Sequence, residues 1–134
     1  MILVDAGPLV ALLHADDRHH AECREALRRI REPLVTAWPV VTEAMYLLGF
    51  SKGAQDGLWE MLVREMPAVL PLGLPDFARM RELMTKYRDL PMDLADAALV
   101  RLAERERIRR VFTVDRRDFR IYRPAGIQRF TLLP

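Results

Sequence analysis

Four acidic residues stand in apolar company where a folded chain has no ordinary use for charge. Asp5 closes the run "MILVD", Glu43 lies inside "PVVTEAMYLLG", Asp96 inside "LPMDLADAAL", and Asp115 closes "RRVFTVD". An isolated buried carboxylate is costly and normally acquires a partner. Glu43 has Val40, Ala44, Tyr46 and Leu47 three and four residues away, so on a helix it projects from an apolar surface. It also lies beyond the third helical position, from which a capping glutamate reaches back. With helical residues spaced about 100° apart, Asp96 falls at the edge of the stripe formed by Ala95, Leu99 and Leu102, and Arg101 lies off that face. Asp93 falls on the polar side, where a helix cap accounts for it. Brought together, these carboxylates raise one another's pKa values, and a cation removes the conflict. A site of oxygen ligands without converging Cys or His favours Mg²⁺ or Mn²⁺ over zinc. Such an ion can polarise a phosphodiester and generate hydroxide from bound water.

Strand ends and helices must position these groups. Short apolar runs predict strands at "MILVD", "PLVTAW", "AVLPLG", "RRVFTVD" and "IQRFTLL". Between them, helical patterns follow Gly7-Pro8, continue through "HHAECREALRRI", and open at Pro39 for "VVTEAMYLLGF". Further helices are predicted over 55–66, from Pro75 to the Leu90-Pro91 step, and from Pro91 to about Arg107. Strands alternating with helices predict a three-layer α/β/α sandwich on a mainly parallel sheet. Sheets of this type place ligand sites at the carboxyl ends of strands, where Asp5 and Asp115 are expected. His14, His19 and His20 crowd into "HADDRHH" and read as an exposed, helix-capping segment.

The 134-residue length fits one domain over 1–134. No apolar run approaches the roughly 20 residues of a membrane span, and no basic segment precedes the apolar start. A cytoplasmic protein without a membrane partner is therefore expected. The lone cysteine, Cys23, reads as a small buried hydrophobe. The net charge is only +2, but nearly all basic residues are arginines, concentrated between Arg101 and Arg123. Arginine suits phosphate, while pairing with Glu104, Glu106 and Asp118 would make the same run a solvated face. Arg116 and Arg117, beside the Asp115 turn, are candidate contacts for RNA phosphates.

In order and spacing, "LVDAGPLVALL", "VVTEAMYLL", "LPMDLADAALVRLAE" and "VFTVDRRDF" resemble the PIN-domain ribonucleases, and most of all their VapC-like toxins. The resemblance runs from Met1 to the last strand. It implies a metal-dependent RNA endonuclease whose acidic centre, binding Mg²⁺ or Mn²⁺, is Asp5, Glu43, Asp96 and Asp115. It further implies that Thr113 orients a ligand water and that Asp118 supports the centre, with Asp93 as an assisting acid beside its cap. Ala6 departs from the pattern, since many relatives carry Ser or Thr there. The family implies a homodimer and an antitoxin whose C-terminal segment covers the active-site groove. Three other readings remain open: an RNA-processing PIN nuclease, a DNA nuclease, and a non-catalytic RNA- or protein-binding module.

Overall fold

The computed structural model describes residues Met1–Pro134. The chain runs β1 (Ile2–Val4), α1 (Ala6–Leu13), α2 (His20–Arg29), β2 (Leu34–Thr36), α3 (Trp38–Leu47), α4 (Lys52–Val63) and β3 (Ala68–Val69). It continues through α5 (Leu74–Lys86), α6 (Leu94–Glu106), β4 (Arg110–Phe112), α7 (Arg116–Ile121) and β5 (Thr131–Leu133). The strands form one sheet in the order β3-β2-β1-β4-β5, and every neighbouring pair is parallel.

Successive residues of a strand face opposite sides, yet Ile2, Leu3 and Val4 are all essentially inaccessible. Both faces of β1 are therefore covered by helices, which is the expected layered sandwich. A single apolar cluster draws on residues from Ile2 to Ile127 and includes Cys23, buried as expected. The chain leaves β1 toward β2 and β3 on one side and returns to β4 and β5 on the other. The strand order thus reverses between β1 and β4, the position at which sheets of this type hold their ligands.

Several boundaries differ from the sequence expectation for local reasons. The helix expected from Pro91 begins at Leu94, because Asp93 is its cap and accepts the Asp96 amide at 2.8 Å. The preceding helix ends at Lys86, short of the Leu90-Pro91 step. The fourth helix begins at Lys52 under a Ser51 cap instead of near Gln55. The third strand shrinks to Ala68–Val69. The α7 helix was not expected; its 6 residues are too few to show a period.

Candidate metal centre

Asp5 follows β1 directly and caps α1. One of its carboxylate oxygens accepts the Ala6 amide at 2.8 Å, and the other accepts the Thr113 hydroxyl at 2.8 Å. Val4 pairs with Phe112 across the sheet, and the Asp5 amide donates to the Phe112 carbonyl at 3.0 Å. That register sets Thr113 opposite Asp5. The Thr113 oxygen also accepts the Asp115 amide at 3.0 Å, so one fully buried hydroxyl ties the turns after β1 and β4 together. Close packing reinforces the join: a Cβ on Gly7 would lie 2.3 Å from the Val114 side chain. Asp115 caps α7 by accepting the Asp118 amide at 3.3 Å.

Asp96 sits in the first turn of α6, a helix buried on most of its circumference through its alanines, Leu99 and Leu102. Only 9% of the residue is exposed. Its partner is the Tyr122 hydroxyl, which donates to Oδ2 at 2.7 Å. Carboxylate oxygens of Asp96, Asp115 and Asp118 lie within 4.8 Å of one another. Asp118, which the resemblance gives only a supporting part, thus stands in this close group. Of the four acids expected to converge, Asp5 and Glu43 lie outside that trio; Glu43 is half-buried on α3, where the charges of Asp5 and Asp93 act on it. Tyr46 and Leu47, expected to give it an apolar surface, are themselves largely exposed. A cleft of about 640 Å³ opens beside Glu43, walled by Trp38, Thr42, Tyr46 and Asp93. A larger apolar groove of about 900 Å³, between Trp38, Leu70, Phe77 and Met84, contains no carboxylate.

Charge separates these acids from the other buried ones. Asp76 is held by Arg101 at 2.8 Å and Arg105 at 3.0 Å, and Glu104 by Arg79 at 2.7 Å. Both carboxyl groups are pulled below their ordinary range by these bonds and charges, which outweigh burial. Asp5, Glu43, Asp96 and Asp115 form no ion pair at all. Burial raises the Asp5 pKa to about 6, that of Glu43 to about 7 and that of Asp96 to about 8, with the neighbouring carboxylates adding to each rise. Asp115 is raised as well, by burial and by Asp118. A cluster of oxygen donors lacking a protein cation fits a hard divalent ion.

These raised values make the metal-free chain sensitive to alkali. Between the unfolded carboxylate range and about pH 8, the native state retains protons that the unfolded chain has released, so stability falls as pH rises. The melting temperature of chelator-treated protein is expected to drop between about pH 5 and pH 8. A melting temperature that is flat or rising over that interval would contradict the assignment.

The arginine run divides. Arg101 and Arg105 hold Asp76, Arg105 also pairs with Glu106, Arg110 pairs with Glu32, and one Arg123 nitrogen donates to the carbonyls of 120–122. Arg116 donates to the Pro134 carbonyl at 2.6 Å. Arg117 is exposed, makes no ion pair, and acts on Asp115 by charge alone. The three histidines stay apart from the acids; His19 and His20 serve the start of α2 and the Ala11 carbonyl. Tyr122 was missed at sequence level, since nothing in its spacing relates it to Asp96.

Comparison with known proteins places this geometry. The PIN domain family model matches residues 2–124. Ribonuclease VapC26 of Mycobacterium tuberculosis is 33% identical over 137 residues, covering 99% of this chain and all of the relative. Among solved structures, M. tuberculosis VapC20, described as a Sarcin-Ricin loop cleaving toxin, superposes with a TM-score of 0.77 at 18% identity, covering 86% of this chain and 92% of the other. VapBC2 of Rickettsia felis, solved bound to a DNA fragment from their promoter, gives 0.63 at 14% identity over the full length of both. The matched span runs from β1 through α7 and contains every residue of the acidic centre, so the chain belongs to the PIN-domain family.

Proposed function

We propose that the chain is a metal-dependent endoribonuclease that hydrolyses RNA phosphodiester bonds as the toxin of a toxin-antitoxin pair. The observation that carries this reading is the acidic cluster beside the strand ends where the order reverses: Asp96, Asp115 and Asp118 within 4.8 Å of one another, with no cationic side chain paired to them. The name of the M. tuberculosis relative, which spans nearly the whole chain, supports the ribonuclease assignment.

Asp5, Glu43, Asp96 and Asp115, with Asp118 beside Asp96 and Asp115, are the residues that would hold Mg²⁺ or Mn²⁺. When bound, the ion supplies Lewis-acid polarisation of the phosphodiester and a more acidic water. The protein's part is placement. Thr113 bonds Asp5 and the Asp115 backbone and so holds the two strand ends at a fixed separation. Asp93 fixes the first turn of α6, on which Asp96 rides. Glu43 borders the open cleft, where RNA can approach with unstacked bases.

Arg116 and Arg117 are assigned to RNA phosphates, with Arg117 the freer of the two. Replacing both with alanine is expected to make RNA binding less salt-dependent, by somewhat under one logarithmic slope unit per lost contact. An unchanged slope would remove them from the interface. The proposed homodimer and antitoxin contacts require apolar surface, and Trp38, Leu74, Phe77 and Leu94 are each more than half exposed.

Expression in bacteria tests the toxin reading. Wild-type chain alone is expected to arrest growth, and folded Asp5→Ala to express harmlessly, because the substitution at a strand end removes a metal-binding group and leaves the apolar core intact. Equal growth of cells producing soluble wild type and Asp5→Ala would favour a processing enzyme or a binding module.

A further inference from the structure

Asp96 has an unusual attachment for a buried acid without a cation. The Tyr122 hydroxyl, 2.7 Å from Oδ2, makes the one side-chain hydrogen bond to its carboxylate. Tyr122 is itself wholly buried, and its ring is wedged edge-on against Tyr87 at 5.0 Å and Phe119 at 5.3 Å. Tyr87 is fixed in turn, its hydroxyl accepting the Arg123 amide at 2.9 Å. The tyrosine therefore presents its O–H from a rigid aromatic cluster.

Its backbone position gives that rigidity a use. Tyr122 caps the carboxyl end of α7, and its amide donates to the Asp118 carbonyl at 3.1 Å. The same helix carries Asp115 as its amino-terminal cap and Asp118 in its first turn. One residue is thus joined through its backbone to the element bearing Asp115 and Asp118, and through its side chain to Asp96 on α6. The terminal torsion of an aspartate is broad, so an untethered Asp96 carboxylate would sample a range of orientations relative to the other two acids.

Building on the metal-centre reading, we propose that Tyr122 is a positioning residue of that centre: its hydroxyl clamps Asp96 of α6 to α7 and fixes the aperture between Asp96 and the Asp115 and Asp118 pair. Groups that hydrogen-bond metal-ligating carboxylates commonly account for a 10- to 100-fold difference in metal affinity, so about that loss is expected when the hydroxyl is removed.

Titration calorimetry with Mn²⁺ on the purified full chain tests the clamp. Tyr122→Phe keeps the ring and is expected to fold, with Mn²⁺ binding weakened about 10-fold or more. In an Asp96→Asn background the same substitution is expected to change Mn²⁺ affinity no further. Phe119→Leu removes one of the two edge contacts while Tyr87 still braces the ring and the hydroxyl stays in place, and is expected to lower the melting temperature while leaving Mn²⁺ affinity near the wild-type value. Unchanged affinity in Tyr122→Phe, or an equal loss in Phe119→Leu, would reduce the tyrosine to a packing residue and overturn the proposal. Wild-type protein that binds no Mn²⁺ would overturn the metal centre and the clamp together. Wild-type binding with an indifferent Tyr122→Phe would overturn the clamp alone.

Discussion

Asp96→Asn is expected to lower RNA cleavage by about two to four orders of magnitude, the equivalent of the several kcal/mol that metal-assisted charge stabilisation contributes. The folded state should survive. Asparagine is nearly isosteric, its amide oxygen can still accept the Tyr122 hydroxyl, and it removes a carboxyl whose pKa burial has raised to about 8. Above that pH the native wild type carries a buried charge the variant lacks, so metal-free Asp96→Asn is expected to melt at the wild-type temperature or above it. Mn²⁺ calorimetry on the same protein separates the two effects. Wild-type Mn²⁺ affinity in the variant would remove Asp96 from the centre, whatever its activity.

Asp76→Asn is expected to do the reverse. Asp76 accepts the Gly73 amide at 3.0 Å as the capping side chain of α5 and neutralises Arg101 and Arg105 from α6. Removing its charge leaves both arginines without their shared partner at the α5–α6 contact. Breaking a buried pair costs about 3–5 kcal/mol, and the lower end applies here because both guanidinium groups reach solvent. For a domain of this size that is a fall in melting temperature of roughly 10 °C near neutral pH. The Asp76 pKa is depressed in the fold, so its stabilisation is present above the unfolded carboxylate value and disappears as pH falls through the folded one. The gap between variant and wild type should close in strong acid. A melting temperature within about 2 °C of wild type at neutral pH would show that the arginines find other partners. The expected pair of results would distinguish the two buried aspartates by consequence: removing Asp76 costs stability, and removing Asp96 costs metal binding and cleavage.

That distinction was half legible in the sequence. Asp5 and Asp115 were readable as strand ends, because the apolar runs before them are short and a parallel sheet exposes its carboxyl ends at the reversal between β1 and β4. Asp93 was readable as a cap from its place before an apolar helix, and the structure shows the bond. Asp96 was recognisable as misplaced, but its partner was not, because Tyr122 lies 26 residues away on a chain segment with no period linking it to α6. As a member of the acidic centre Asp118 was legible through family resemblance alone, since the short helix that carries it leaves no pattern. Long-range pairing hid the arginines' roles in the same way: Arg101 and Arg105 looked like members of a phosphate track, and their carboxylate partner lies 25 and 29 residues upstream. Glu104 likewise read as polar surface, yet its side chain is 5% exposed and bound to Arg79. Local spacing reveals which face a residue takes and is silent on what tertiary packing sets opposite it.

On the proposed mechanism, the carboxylates gathered beside the ends of β1 and β4 cut RNA only with a divalent ion among them. The most direct measurement is cleavage of total bacterial RNA by purified wild-type chain, first stripped with EDTA and then supplied with Mn²⁺. No cleavage in EDTA and discrete new fragments on Mn²⁺ addition, absent from Asp96→Asn under the same conditions, are expected. Cleavage that persists unchanged in EDTA, or appears equally in Asp96→Asn, would contradict the proposed mechanism.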